Sequence, residues 1–264
     1  MATRTRTLRA FVGGLIFALG IWSSQASASP LVTSASPLRV AAAADLKFAM
    51  PQLISEFKAE NPKTDVEAVY GSSGNFYAQI LANAPFDLFF SADRSYPDKL
   101  IEQGHSLDLK VFVYGSGQLV VWIPAKSKLD FQQKGFKALL DPSIKKISIA
   151  NPRFAPYGRA AEEALHKASV YDKLKSKLVL GDNVVQAAQF VESGAADVGI
   201  IALSLALAPE MTNQGRFWLV PDQDYSKMDQ AGVILRSAQK TEASKFRDFV
   251  MGPKGHAILK KAGL

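Results

Sequence analysis

Four junctions between apolar and helical segments of the sequence carry small or polar residues suited to binding an anion. Asp45 follows the apolar run LRVAAAA, and Gly71 to Gly74 (GSSG) follows DVEAVY. Further on, Pro156 to Gly158 precedes a helical stretch, and LGDNVVQAA places a helix start at Asn183 or Val184. The first N–H groups of a helix have no partner within it and lie at the positive end of the helix dipole. Converging helix starts would therefore bind an anion without lysine or arginine, whereas ordinary helix capping at each junction is the alternative.

Apolar runs alternate with amphipathic segments from Leu38 onward, which predicts alternating strands and helices. The predicted strands are LRVAAAA, DVEAVY, DLFFSA, FVYGSG, QLVVWIP, KKISIA, LVLGD and DVGIIALSL. Helices are predicted after Asp45, where Pro51 should kink or delay the helix, around NFYAQILAN, over 160–167 and 184–192, and on both sides of MGPKG. This order predicts an α/β fold with mostly parallel sheets covered on both faces, and roughly ten strands favour two lobes over one.

The composition is that of a globular protein and excludes several other classes. The chain has 264 residues, 48% hydrophobic and 21% charged, and it contains no cysteine, which excludes disulfides, thiolate metal sites and cysteine nucleophiles. The formal net charge is +7, but three arginines lie within the first nine residues and the rest of the charge is spread thinly. The aromatic residues are scattered and offer no stacking surface for nucleic acid. We expect a mildly basic, solvated surface and no nucleic-acid partner.

The N-terminal segment has the organisation of an export signal. Three arginines precede the apolar segment Ala10 to Trp22, which is too short to span ~30 Å of hydrocarbon comfortably, and Ala26-Ser27-Ala28 is typical of a cleavage site. We predict a signal peptide over 1–28 with cleavage near Ala28, and a flexible leader over 29–37. An uncleaved membrane anchor is the alternative. No later apolar stretch is long enough to span a membrane, so we expect the mature protein to have no transmembrane helix.

Residues for catalysis are hard to assemble from this sequence. His105, His166 and His256 have no second histidine at metal-ligand spacing, and the adjacent Glu162 and Glu163 would point in different directions from a helix. The motifs GxSxG, GxxxxGK[ST] and HExxH are absent from the sequence. The sequence therefore favours a binding protein over an enzyme, without a free metal ion or cofactor. An exported enzyme that uses the same junctions is the alternative.

Six sequence blocks that include the four junctions lie in order along 38–264: AAAADLKFAM, YGSSGNFYAQI, APFDLFFSAD, ANPRFAPYGRAAEEAL, DNVVQAAQFVESGAADVGIIA and KFRDFVMGPKGHAILKKAGL. They resemble the molybdate-binding periplasmic components of ABC importers. The resemblance implies a two-lobe, type II Venus-flytrap fold that closes on an oxyanion by a hinge motion. We expect lobe 1 over 38–115 and 222–264, and lobe 2 over 116–221.

The same resemblance implies a function and its partners. The protein would capture molybdate, or the similar tungstate, in the periplasm and deliver it to a membrane permease driven by a separate ATPase. The oxyanion would be the ligand, with no further cofactor, and we expect a monomer.

The resemblance also implies which residues bind the ligand. In the resembled family a tetrahedral dianion is held by two serines, two backbone N–H groups at helix starts and a tyrosine hydroxyl. Ser73 and the N–H groups of Tyr157 and Val184 stand at matching positions. Asp45 occupies the position of the first serine, and Ala202 occupies that of the tyrosine.

These two departures leave several possibilities open. An ionised carboxylate about 4 Å from a dianion costs several kcal/mol at an effective dielectric constant of about 20. We expect Asp45 to turn away and cap its own helix; alternatively it is protonated and donates, or it binds a different solute, either another oxyanion or a metal species. The missing hydroxyl could be replaced by the side chain of Tyr157 or by Asn75.

Overall fold

The computed structural model describes residues 36–236 and 238–264. The predicted signal peptide and its cleavage site near Ala28 lie outside the described residues, as does most of the predicted leader. The described part contains strands β1 (Leu38–Ala43), β2 (Val66–Gly71), β3 (Leu88–Ser91), β4 (Phe112–Gly117), β5 (Leu119–Pro124), β6 (Ile147–Ala150), β7 (Leu178–Gly181), β8 (Val198–Ala202), β9 (Gly215–Leu219) and β10 (Met228–Ile234). All eight predicted strands are found, whereas β9 and β10 were not predicted individually.

Helices connect and cover these strands. They are α1 (Ala49–Glu60), α2 (Ser73–Leu81), α3 (Ser95–Glu102), α4 (Phe131–Lys134), α5 (Pro156–Lys167), α6 (Tyr171–Leu174), α7 (Val184–Glu192), α8 (Leu203–Ala206), α9 (Pro209–Thr212), α10 (Lys240–Met251) and α11 (Pro253–Lys261), with 3₁₀ turns at Ala44–Leu46, Gly135–Leu140, Lys175–Lys177 and Asp222–Asp224.

Proline positions explain several helix boundaries. The helix after Asp45 is delayed, as predicted: a 3₁₀ turn comes first and α1 begins only at Ala49, with Pro51 in its first turn. That turn has no intrahelical acceptor for an N–H group, so the proline costs no hydrogen bond there. Helix α5 begins at Pro156, four residues before the predicted start, because proline is favoured at the first helical position. Gly252 separates α10 from α11 within MGPKG, as predicted.

The strands form two sheets of five. Sheet I has the order β2-β1-β3-β10-β4, and sheet II has the order β7-β6-β8-β5-β9. In sheet I only β10 runs against its neighbours, and in sheet II only β5 does, among the described strands. The prediction of an α/β fold with mostly parallel sheets is confirmed.

The parallel registers bring the chemically interesting segments to one edge of each sheet. Ala43 pairs with Gly71, so β1 and β2 end together in sheet I. Ala150 pairs with Gly181, so β6 and β7 end together in sheet II. Ligands of open α/β sheets bind beyond the carboxyl ends of the strands. The four predicted junctions follow these four strand ends, so the topology gathers them in pairs.

The chain changes sheet at two places. Strand β4 of sheet I ends at Gly117, and β5 of sheet II begins at Leu119. The return connection runs from the end of β9 at Leu219 to the start of β10 at Met228. The lobe limits given above, with lobe 2 over 116–221, remain a prediction.

Candidate functional site

The four predicted junctions meet in one cavity. Its lining residues come from segments that follow strands of both sheets: Ala43, Ala44, Asp45, Gly71, Ser72, Ser73, Ala92, Ala155, Pro156, Tyr157, Asn183 and Val184. The cavity volume is about 10 Å³, which is roughly the space of one water molecule. A four-oxygen anion therefore enters only when the two sheets separate or the lining side chains move.

Local capping explains how two of the helices begin at the cavity. The Ser72 hydroxyl accepts a hydrogen bond from the Asn75 N–H at 3.4 Å and caps α2. The Asn183 side-chain oxygen accepts from the N–H groups of Val185 and Gln186, at 3.0 and 3.1 Å, and caps α7. Short polar side chains at the N-cap satisfy the second and third N–H groups of a helix. The earliest N–H groups are left for another acceptor.

Three backbone N–H groups remain available at these helix starts. Ser73 and Val184 are the first residues of α2 and α7, and Tyr157 is the second residue of α5. Among the described residues, none of the three N–H groups has a recorded hydrogen-bond acceptor. All three residues are buried and line the cavity. The arrangement is suited to an anion because unpaired N–H groups and three positive helix ends meet there.

The Ser73 side chain adds a fourth donor. Its Oγ accepts a hydrogen bond from the Ala92 N–H at 3.0 Å, and the side chain is buried. A serine hydroxyl that accepts one bond can still donate its proton. Ser73 can therefore offer both its N–H and its O–H to one ligand.

Asp45 does not cap its helix, so that prediction is wrong. The 3₁₀ turn Ala44–Leu46 has no side-chain cap, and neither has α1. Instead the Asp45 carboxyl oxygen Oδ2 accepts from the Tyr157 hydroxyl at 3.0 Å and from Gln230 Nε2 at 2.5 Å. The donor Tyr157 belongs to α5, which follows a strand of sheet II, and the donor Gln230 belongs to β10 of sheet I. Two hydrogen bonds hold the buried carboxyl at the cavity more strongly than one bond at an exposed helix cap would.

Burial sets the protonation of this group. It raises the pKa of Asp45 from 3.8 to about 6, although the hydrogen bonds from Gln230 and Tyr157 act in the opposite direction. Asp45 Oδ1 and Gln230 Oε1 are buried and have no hydrogen-bond partner among the described residues. Burial, and then the charge of Asp45, raise the pKa of the Tyr157 and Tyr114 hydroxyls well above 10. Both tyrosines are therefore neutral at any physiological pH.

The raised pKa of Asp45 predicts that the protein without ligand loses stability as the pH rises. The native carboxyl holds its proton up to about pH 6, whereas the unfolded one releases it near pH 4, so the native state binds more protons in that window. The free energy of unfolding should fall by about 3 kcal/mol as the pH rises from about 4 to about 6. The free energy of unfolding of Asp45→Asn should not fall in this way. Urea unfolding of both proteins at pH 4 and pH 7 measures the difference. The prediction would be contradicted if the two proteins differed in free energy of unfolding by the same amount at pH 4 and at pH 7.

The structure brings four of the six predicted site residues together. Asp45, Ser73, Tyr157 and Val184 all line the cavity. Asn75 and Ala202, the weaker candidates, are not among the lining residues. The recorded bond of Asn75 is made by its backbone, and Ala202 ends β8, where it pairs with Leu119 of β5. The hydroxyl nearest to Asp45 belongs to Tyr157, one of the two replacements considered for the missing tyrosine.

Sequence reasoning missed two partners of Asp45. Gln230 lies in β10 and is fully buried, and Ser204 in α8 donates from its hydroxyl to the Asp45 carbonyl oxygen at 2.8 Å. The sequence does contain one indication of Gln230, namely its position directly before the apolar run AGVIL. A glutamine is unusual in a buried strand, because its amide needs hydrogen-bond partners there. Recognising β10 as a strand would have singled out Gln230.

Contacts between elements of the two sheets were also missed. The Gly74 N–H of α2 donates to the carbonyl oxygen of Phe154, which follows β6, at 3.0 Å. Arg159 of α5 forms an ion pair with Asp93, which follows β3, with 2.5 Å between Nη2 and Oδ2. These contacts lie beside the cavity and join elements of the two sheets.

The described residues offer neither a metal cluster nor a membrane-spanning helix. No three histidine, aspartate or glutamate side chains of residues 36–236 and 238–264 come together as metal ligands. In the same part of the chain, every helix is too short or too polar to cross a membrane. Among the described residues that line the cavity, Asp45 is the single acidic one.

Comparisons with known proteins assign the family. The family model described as bacterial extracellular solute-binding protein matches residues 38–264. A molybdate-binding protein ModA of Rhodobacter capsulatus is 34% identical over 98% of this chain and 96% of its own length. Another, from Azotobacter vinelandii, is 35% identical over 87% of this chain and 90% of its own length.

A solved structure agrees with the sequence comparisons. The periplasmic molybdate-binding protein of Azotobacter vinelandii superposes with a TM-score of 0.80 at 36% identity, over 86% of this chain and 97% of that one. Its likeness confirms the two-lobe, type II periplasmic binding protein fold, and the relatives' names agree with a binding protein rather than an enzyme. The chain belongs to the bacterial extracellular solute-binding protein family, and within that family it is a relative of the ModA molybdate-binding proteins.

Proposed function

We propose that the protein binds molybdate, or tungstate, in the cavity between the two sheets and delivers it to the permease of an ABC importer. The observation that carries this proposal is the set of N–H groups of Ser73, Tyr157 and Val184, which have no acceptor among the described residues and meet the Ser73 hydroxyl in one cavity. Such neutral donors at helix starts can hold a dianion without a counter-ion. The molybdate-binding names of the relatives support the choice of ligand.

Binding would couple to closure of the two lobes. The donors of Ser73 follow a strand of sheet I, whereas those of Tyr157 and Val184 follow strands of sheet II. A ligand held by both groups binds the closed arrangement better than an open one and shifts the population toward it. The Gly74–Phe154 hydrogen bond and the Arg159–Asp93 ion pair form in the closed arrangement and stabilise it further.

The cellular setting is part of the proposal. The sequence of residues 1–28 predicts export, and the relative of known structure is named as periplasmic. We therefore place the protein in the periplasm, where it would present the loaded anion to the membrane permease.

A thermal-shift series on the chain from Ser29 onward tests the proposed ligand. Molybdate and tungstate should each raise the melting temperature, because a ligand at about a hundred times its dissociation constant adds about 2.7 kcal/mol to the native state. Sulfate, phosphate and ferric citrate serve as controls and should have little effect. A flat response to both molybdate and tungstate would refute the proposal.

A second candidate is a different solute bound through Asp45. Oδ1 of this carboxyl has no partner among the described residues, which favours this candidate, because a buried acceptor suits a ligand that brings a hydrogen-bond donor or a metal ion. In the same series, a shift with ferric citrate or phosphate alone would support this candidate over molybdate.

A further inference from the structure

The cavity contains one group that does not fit a fully deprotonated anion. Asp45 lines it together with the N–H donors of Ser73, Tyr157 and Val184. An ionised carboxylate can only accept hydrogen bonds, and so can the oxygens of molybdate. The two would repel each other in a site whose other groups attract the anion. This conflict bears on how the proposed ligand binds, so the inference rests on the proposed function.

We propose that the protein binds the oxyanion together with one proton, which Asp45 carries on Oδ1 and donates to an oxygen of the anion. Asp45 is then a specificity-determining residue that acts as a hydroxyl donor in its acid form.

The hydrogen bonds of Asp45 decide which oxygen carries the proton. Oδ2 already accepts from the Tyr157 hydroxyl and from Gln230 Nε2, so it has to remain an acceptor. Oδ1 is buried and has no partner among the described residues. A proton on Oδ1 converts an unsatisfied acceptor into a donor without disturbing the bonds of Oδ2.

Among the described residues, the side chains that bond or face Asp45 are neutral. Tyr157 and Tyr114 face it, and both hydroxyls stay protonated because burial raises each pKa well above 10. The turn Ala44–Leu46 packs against β2, α7 and α8, and Ser204 of α8 bonds the Asp45 carbonyl oxygen. Within the described residues, no lysine, arginine or histidine contributes to the shifted pKa of Asp45.

A bound proton makes the affinity depend on pH in one direction. In the protein without ligand, Asp45 releases its proton above about pH 6. Above that pH, binding of the anion has to take up a proton from the solvent. The dissociation constant for molybdate should rise about tenfold per pH unit above that value, or about 100-fold between pH 7 and pH 9. Asp45→Asn places an amide donor where the acid O–H would be. Its affinity should not change with pH and should exceed that of the unmodified protein at pH 9.

Calorimetric titration with molybdate at pH 8, in two buffers that differ in ionisation enthalpy, counts the protons taken up. We expect about one proton per molybdate for the unmodified protein and none for Asp45→Asn. Asp172→Asn is the matched control, because the Asp172 side chain is 85% exposed, and it should still take up one proton.

The outcomes separate this inference from the proposed function. Molybdate binding without proton uptake, at an affinity that does not change with pH, overturns the proton-coupled site and leaves the proposed function standing. Proton uptake that persists in Asp45→Asn assigns the proton to another group and also overturns it. No molybdate binding by either protein at pH 6 or pH 8 refutes the proposed function, and this inference with it.

Discussion

Replacing Val184 with proline is expected to weaken molybdate binding by about 10- to 100-fold and to leave the fold intact. The substitution removes a single N–H group that lines the cavity and has no recorded acceptor among the described residues. A hydrogen bond to a charged partner contributes about 1.5–3 kcal/mol, which corresponds to that loss of affinity.

The local backbone accepts a proline at this position. Val184 is the first residue of α7, where proline is favoured because its N–H is not used by the helix. The residue before a proline has to be extended, and Asn183 already has φ −151° and ψ 177°. Helices α5 and α11 of the same chain begin with Pro156 and Pro253.

Calorimetry with molybdate measures the effect, and a circular-dichroism melt confirms that the variant is folded. Val184→Ala is the matched control, because it shortens the side chain but keeps the N–H group, and it should bind molybdate much more tightly than Val184→Pro. Equal affinities for the two folded variants would show that this N–H group does not bind the anion.

The second large effect is expected from Gly74→Val, which should weaken molybdate binding by obstructing closure. A Cβ atom at Gly74 would lie 2.6 Å from the Phe154 carbonyl oxygen and 2.8 Å from the Tyr96 hydroxyl. Phe154 follows a strand of sheet II, whereas Gly74 belongs to the helix after β2 of sheet I. Overpacking of this kind costs about 1–3 kcal/mol, or up to about 100-fold in affinity when the cost falls on the closed state alone.

Two measurements separate obstruction from a general loss of stability. Calorimetry gives the affinity, and small-angle scattering with and without molybdate reports whether the lobes close. Ala78→Val is the matched control, because it places the same β-branched side chain at an exposed position of the same helix. Gly74→Val protein that closes on molybdate with unchanged affinity would rule out a tight contact at this position.

The helix starts of the site could be predicted because their signals are local. Ser72 and Asn183 are N-cap residues directly before the helices they cap, and Pro156 marks the first position of its helix. The same local geometry leaves the N–H groups of Ser73, Tyr157 and Val184 without an acceptor in the part of the chain that the structure describes. Alternating apolar and amphipathic segments likewise predicted the two mostly parallel sheets.

The orientation of Asp45 could not be predicted in this way. Its own sequence neighbourhood favours a helix cap, but its hydrogen-bond donors lie 112 and 185 residues away along the chain, at Tyr157 and Gln230. Strand β10, which carries Gln230, mixes aspartate, glutamine and glycine with apolar residues and gives no clear strand pattern. Long-range contacts therefore decide the orientation of the carboxyl group that we propose carries the proton.

The most direct test of the account is a crystal structure of the chain from Ser29 onward grown with molybdate, with an anomalous difference map recorded above the molybdenum absorption edge. We expect one strong peak in the cavity, with the oxygens of the anion within hydrogen-bond distance of the N–H groups of Tyr157 and Val184 and of the Ser73 hydroxyl. A strong peak elsewhere in the protein, or no peak in a closed molecule, would contradict the assignment of this cavity as the molybdate site.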